Sequence, residues 1–177
     1  MTPYRSCTGR RPLTDDEQHS LLSFTYGLGR LGEESVEVET VHAALLLVYR
    51  DMAGDEDGFP LVGPHQTKLG VRTGAKPRDI TADADGYVEP AVVAKGGMSV
   101  APYDPANLSD RHRPPELNGG LGSYPVWEFD TNHLGPALHF RQTSATHGVI
   151  EPAYRMTLID YEEALGATRK GWTRVIG

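Results

Sequence analysis

The sequence predicts an α+β fold, and three observations carry that expectation. Thirteen prolines and twenty glycines among 177 residues are more than a helical bundle carries and point to short strands joined by turns. Helical spacing of apolar residues is confined to the first sixty residues and to the C-terminus. Between them, short β-favouring segments alternate with turn-forming clusters. The length suits one domain, and an apolar content of 38% is enough for an ordinary core.

Taken in chain order, residues 1–13 read as a flexible N-terminal arm. Residues 14–177 read as a single domain with a helical part, 14–60, and a sheet-rich part, 68–177. The first helix starts at Thr14, where Thr14-Asp15-Asp16-Glu17 fits a capping box with acidic residues in the positive first turn, and it ends near Gly27 to Gly32. A second helix is expected from about Ser35 to Ala53, with Val38, Val41, Leu45 and Val48 on one face and Ala44 and Leu47 widening the stripe. The acidic stretch Gly54-Asp55-Glu56-Asp57-Gly58 breaks that pattern, and Pro60 and Pro64 prevent its return. Strands follow at Leu69–Thr73, Met98–Ala101, Val126–Phe129, Ala137–Arg141 and His147–Ile150. Asp85-Gly86 is a turn signal, and Pro102 to Tyr124 is too long for a simple hairpin connection, a length typical of functional loops. The last helix is expected from Thr157, whose run to Asp160 resembles a capping box, to about Arg174, burying Leu158, Tyr161, Leu165, Thr168 and Trp172.

Composition narrows the function. A formal charge of −7 argues against a nonspecific nucleic-acid coat or an anionic membrane surface, since both select basic faces. Cys7 is the single cysteine, so no internal disulfide forms and a reducing, cytoplasmic compartment is the simpler expectation. The apolar run Val41–Tyr49 is far short of a membrane span. Leu13 is followed by Thr14, Asp15 and Asp16 where a signal peptide needs its apolar stretch. Export by a contact-dependent secretion machine, which needs no such signal, stays open. Phosphate-loop, zinc-ribbon and zincin motifs are absent. The seven histidines are scattered with no i, i+4 pair on an expected helix, so no metal is expected.

Three segments could carry chemistry. Lys68 to Gly74 delivers Arg72, whose planar fork suits a phosphate or carboxylate, although a strand-edge salt bridge is the simpler use of such an arginine. In Lys95-Gly96-Gly97-Met98-Ser99-Val100, two glycines permit close approach of a ligand or of another backbone, and Ser99 offers a hydroxyl beside them. An ordinary glycine turn entering a buried strand fits equally well. In Ala145 to Ala153, His147 and Glu151 share one side of a strand about 13 Å apart. His147 could hydrogen-bond a ribose or exchange a proton, and Glu151 could stabilise positive charge farther along. A half-buried histidine and an edge glutamate before Pro152 are the plainer alternatives.

In order, these strings resemble toxin effectors of bacterial type VI secretion with an ADP-ribosyltransferase-like fold. Arg78-Asp79-Ile80 through Asp85-Gly86, then Pro90 and Gly96-Gly97-Met98-Ser99-Val100, resembles the family's central Gly-Gly-x-Ser-Val segment. Ala145-Thr146-His147, Ile150, Pro152-Ala153 and Met156 resemble its C-terminal segment. The resemblance implies a split, twisted β-sheet with N-terminal helices and a C-terminal helix around a cleft for NAD as substrate. It implies that Ser99 and His147 are required for toxicity, that Gly96 and Gly97 border the nucleotide, and that Arg72 stands where many transferases carry a first-strand arginine. Glu151 departs from the toxins and sits where established transferases often place a catalytic glutamate. The expected activity is ADP-ribosyl transfer to an intracellular macromolecule after delivery into a target-cell cytoplasm, with an immunity protein as a partner. The alternatives are an NAD glycohydrolase and a non-enzymatic binding protein with a toxin-like fold.

Overall fold

The computed structural model describes residues 46–74, 76–91 and 96–177, which belong to the second of two units in the chain, His42–Gly177. The expected arm, the helix from Thr14, and residues 35–45 of the expected second helix lie outside the described residues. The rest of that second helix is corrected: Leu47–Asp51 is strand β1. The apolar run satisfies both periods over so short a length. Its β-branched Val48 and aromatic Tyr49 favour the pleated state, and burial on both faces through Asp51 marks a central strand rather than an amphipathic helix.

Seven strands follow: β2 (Tyr87–Val88), β3 (Met98–Pro102), β4 (Val126–Asp130), β5 (Leu138–Gln142), β6 (Gly148–Pro152), β7 (Met156–Thr157) and β8 (Thr173–Ile176). Six form one antiparallel sheet in the order β5-β6-β3-β1-β4-β8, and β2 pairs with β7 beside it. The second-half strands expected from turn chemistry are therefore present, with one exception. Leu69–Thr73 is not a strand; Leu69 makes only an isolated bridge to Val62. The final helix, α1, spans Leu158–Ala167 and stops seven residues short of Arg174. Its start is as the sequence indicates, with the Thr157 hydroxyl accepting from the Asp160 amide at 3.1 Å. Its end is set by Thr168, whose hydroxyl donates back to the Leu165 carbonyl at 2.7 Å and accepts from the Trp172 indole at 3.0 Å. The chain then tightens into a 3₁₀ turn, Arg169–Gly171. Trp172 comes to lie 5.0 Å from the Phe129 ring, and β8 pairs with the edge of β4.

One face of the sheet carries the main core. Val48, Met52, Met98, Trp127, Phe129 and Ile150 pack there against Tyr161 and Leu165 of α1. On the other face, Tyr49, Ala101 and Val126 are covered by Leu108 and Leu117, so the long loop after β3 is a lid of the sheet rather than free chain. The register locates an opening. β1 pairs with β4 along five residues, Leu47 to Asp51, but with β3 only at Val48↔Pro102 and Tyr49↔Ala101. Beyond Tyr49 the two central strands part, and the sheet is split there.

Candidate functional site

The split opens into a cavity of about 460 Å³ lined by Arg50, Asp51, Arg72, Ser99, His112 and His147, among others. Three of these, Arg72, Ser99 and His147, are residues the sequence singles out. The other three are not.

Ser99 is placed by β3, whose partner across the ladder is Val149 of β6. It is half-buried at the mouth of the split. His147 ends the turn between β5 and β6, which is closed by the Thr143 and Ser144 amides donating to its carbonyl at 2.9 and 3.0 Å. Its Nδ1 lies 2.6 Å from the Thr143 hydroxyl, which also reaches the His147 carbonyl at 3.1 Å. One hydroxyl proton cannot serve both acceptors; when it goes to the carbonyl, Nδ1–H donates to the hydroxyl and Nε2 keeps its lone pair. Desolvation by the surrounding protein lowers the His147 pKa below 6.5, which favours that neutral ring.

Arg50 spans the split. Its guanidinium donates to the Ser99 carbonyl at 2.5 Å and to the Gln66 carbonyl at 2.8 Å, and its Nε has no partner among the described residues. Desolvation holds its pKa below the ordinary arginine value, against the opposing pull of Asp51 and Asp79. Next along β1, Asp51 accepts from His112, whose Nδ1 is 2.9 Å from both carboxylate oxygens. His112 is presented by a turn in which its amide and that of Arg113 donate to the Ser109 carbonyl. Leu108 anchors that loop in the second core cluster. The Asp51 hydrogen bond raises the His112 pKa above 6.5, against desolvation and the nearby Arg50 and Arg72 charges.

Arg72 stands on a loop, not on a strand. Asp79 holds it with hydrogen bonds of 2.7 to 3.3 Å, and its remaining terminal nitrogen donates to the Gln66 side chain at 2.9 Å. The Asp79 hydrogen bond raises its pKa. The arginine carried by the first described strand is Arg50, not Arg72, so the expectation that placed Arg72 there is corrected. The reason lies in β1: Leu47–Asp51 is buried on both faces and fits the helical period as well as the strand period, so Arg50 carries no local mark of a strand arginine.

Glu151 does not enter the cavity. It is buried, clasped by the Arg141 guanidinium at 2.9 and 3.0 Å, and accepts from the Ala91 amide at 3.3 Å. Its spacing from His147 is readable in the sequence, but the arginine on the neighbouring strand β5 is not. Gly96 and Gly97 also lie outside the cavity lining. Gly97 has φ +128°, and a Cβ there would meet the Ile150 carbonyl oxygen at 2.3 Å; one on Gly96 would meet Ala91 at 2.9 Å. Here the glycines permit backbone to approach backbone.

Arg50, Asp51 and His112 escaped sequence reasoning. The only signal was an Arg-Asp pair closing an apolar run, and nothing local links it to a histidine 61 residues on. Among the described residues no group of three or more His, Cys, Asp or Glu is placed to hold a metal ion, and no helix is long and apolar enough to cross a membrane.

The family model of the Tse2 ADP-ribosyltransferase toxin matches residues 49–172, from β1 to the tryptophan that closes the core behind α1. That is more than half of the chain. The chain belongs to the Tse2 ADP-ribosyltransferase toxin family. Its split antiparallel sheet with one C-terminal helix is the α+β architecture the resemblance implies. The matched stretch takes in all six of the cavity residues named above. No curated protein matches the sequence.

Proposed function

We propose that this Tse2-family toxin cleaves NAD and transfers its ADP-ribose to a macromolecule inside the cell it enters. The observation that carries the proposal is the cavity in the split between β1 and β3, which gathers Ser99 and His147 in a chain of an ADP-ribosyltransferase toxin family. Ser99 positions the nicotinamide ribose, and His147 hydrogen-bonds a ribose hydroxyl through Nε2. Arg50 keeps the split at a fixed width by tying β1 to β3, so the ribose meets a preformed site and less binding free energy is lost to ordering the protein. The bond between the anomeric carbon and the nicotinamide nitrogen breaks with its electron pair passing into the pyridinium ring. An acceptor nucleophile forms the new bond to that carbon and gives up its proton. Glu151 has no part in these steps, because Arg141 already satisfies it on the wall away from the cavity. Arrival through a contact-dependent secretion machine and neutralisation by an immunity protein in the producing cell belong to the same proposal.

The test follows nicotinamide release from NAD by the purified protein, and the fate of label carried on the adenine side. Ser99→Ala and His147→Ala are expected to lower release at least about 100-fold, the lower end for loss of a positioned proton-transfer or orienting group, while circular dichroism stays unchanged. Full activity in both folded variants overturns the site, and no release by the parent overturns the NAD reading. Label recovered as free ADP-ribose instead of on protein or nucleic acid identifies water as the acceptor, and with it a glycohydrolase.

A further inference from the structure

The two arginines that line the cavity are already committed. Arg50 gives both terminal nitrogens to backbone carbonyls, and Arg72 is held by Asp79 and Gln66. We propose that the imidazolium of His112, seated on Asp51, is the group that binds the diphosphate of the substrate. This deepens the NAD reading and rests on it.

The geometry singles out one nitrogen. Nδ1 of His112 is bound by the Asp51 carboxylate at 2.9 Å, and the ring lines the same cavity as Ser99 and His147, so Nε2–H is the donor left for a ligand. The Asp51 side chain is 7% exposed, and β1 fixes it along the full ladder with β4. The ring is therefore oriented before any ligand arrives. The titratable and charged groups facing it are Asp51 and Arg50 from β1, Arg72 and Asp79 from the loop that precedes β2, and His147 from the β5–β6 turn, whose pKa desolvation lowers. On its own loop, Arg113 is paired with Asp110. Two arginines against two carboxylates cancel, so the charge of the cavity follows His112. Protonated, it gives the cavity a net positive charge toward a diphosphate; neutral, it leaves none. The Asp51 hydrogen bond raises the His112 pKa, which extends the charged form upward in pH.

Calorimetric titration of the full chain with NAD and, separately, with inorganic pyrophosphate tests this at about pH 6 and about pH 8.5, on either side of the ordinary histidine range. Both ligands are expected to bind the parent roughly tenfold more weakly at the higher pH, the ratio that one charge-assisted hydrogen bond to phosphate represents. His112→Gln is expected to bind both weakly and without pH dependence, and nicotinamide riboside, which lacks phosphate, to respond to neither change. His112 is 38% exposed, so the variant keeps its fold. NAD and pyrophosphate bound equally by parent and variant at both pH values overturn the His112 assignment and leave the NAD reading standing. Pyrophosphate bound with the His112 signature while NAD is not bound upholds the anion site and overturns NAD as its ligand. Binding of neither ligand overturns both.

Discussion

Tyr161 offers the sharpest test of how α1 supports the strand that carries Ser99. Its hydroxyl donates to the Ile150 carbonyl at 2.6 Å and accepts from the Met98 amide at 3.2 Å. Met98 and Ile150 face each other across β3 and β6, so the phenol bridges a place in the ladder where strand would otherwise bond to strand. Tyr161 and Met98 are fully buried and Ile150 nearly so, and burial pushes the phenol pKa upward. Tyr161→Phe keeps the ring and removes one oxygen, leaving a buried N–H and a buried C=O each short of a partner. Each orphan costs about 1–3 kcal/mol, so the variant should lose roughly 2–6 kcal/mol in urea unfolding. At roughly 2–4 °C per kcal/mol for a chain of this size, melting should fall by about 4–24 °C. Hydrogen exchange at the Met98 amide should quicken in the folded state. A loss below about 0.5 kcal/mol with unchanged protection would refute the reasoning, because β3 and β6 would then be closing the gap between themselves.

Two further predictions concern charge. Arg141→Met leaves the Glu151 carboxylate, 3% exposed, with the Ala91 amide as its one hydrogen-bond donor among the described residues and His139 at 3.7 Å. Breaking a buried pair costs about 3–5 kcal/mol, and partial exposure of Arg141 lowers the expectation to about 2–3 kcal/mol. Unfolding in urea reads this, and adding Glu151→Leu should recover most of the loss. The two cavity histidines should give the stability profile opposite slopes. His112 has a raised pKa, so its contribution is complete below about pH 6.5 and disappears as pH rises through the folded value. His147 has a lowered pKa, so its contribution is complete above about pH 6.5 and disappears as pH falls through its folded value. Melting curves across pH should lose the alkaline decline in His112→Gln and part of the acid decline in His147→Asn; unchanged profiles would contradict both assignments.

The second half of the fold was legible because its strands are punctuated by turn residues whose backbone needs are local. Asp85-Gly86 is one case, with Gly86 at φ +82°, and the Thr157 cap is another. β1 was not legible. Leu47–Asp51 is buried on both faces, and a central strand of that kind shows no alternation by which to tell it from a helix. The site divides along the same line. Ser99 and His147 stand in segments with recognisable strings, whereas Arg50 and Asp51 were hidden by the misread strand, and His112 is joined to them only by the path of a long loop. The end of α1 was missed for a related reason: the helical spacing of Leu165, Thr168 and Trp172 is genuine, but Trp172 reaches the core from a 3₁₀ turn.

The order of strands across the sheet also dictates the order in which the cavity can come into being. β3 brings Ser99 early, yet its outer neighbour is β6, and His147 arrives only with the turn that leads into β6. α1, which supports both strands from behind, is later still in the chain. A ribosome that has passed residue 102 has made more than half of the lining and none of the closure, and domains gather as units only once their partners have emerged. During synthesis the cavity is therefore among the last features to assemble, so a chain cut short before β6 is left without one.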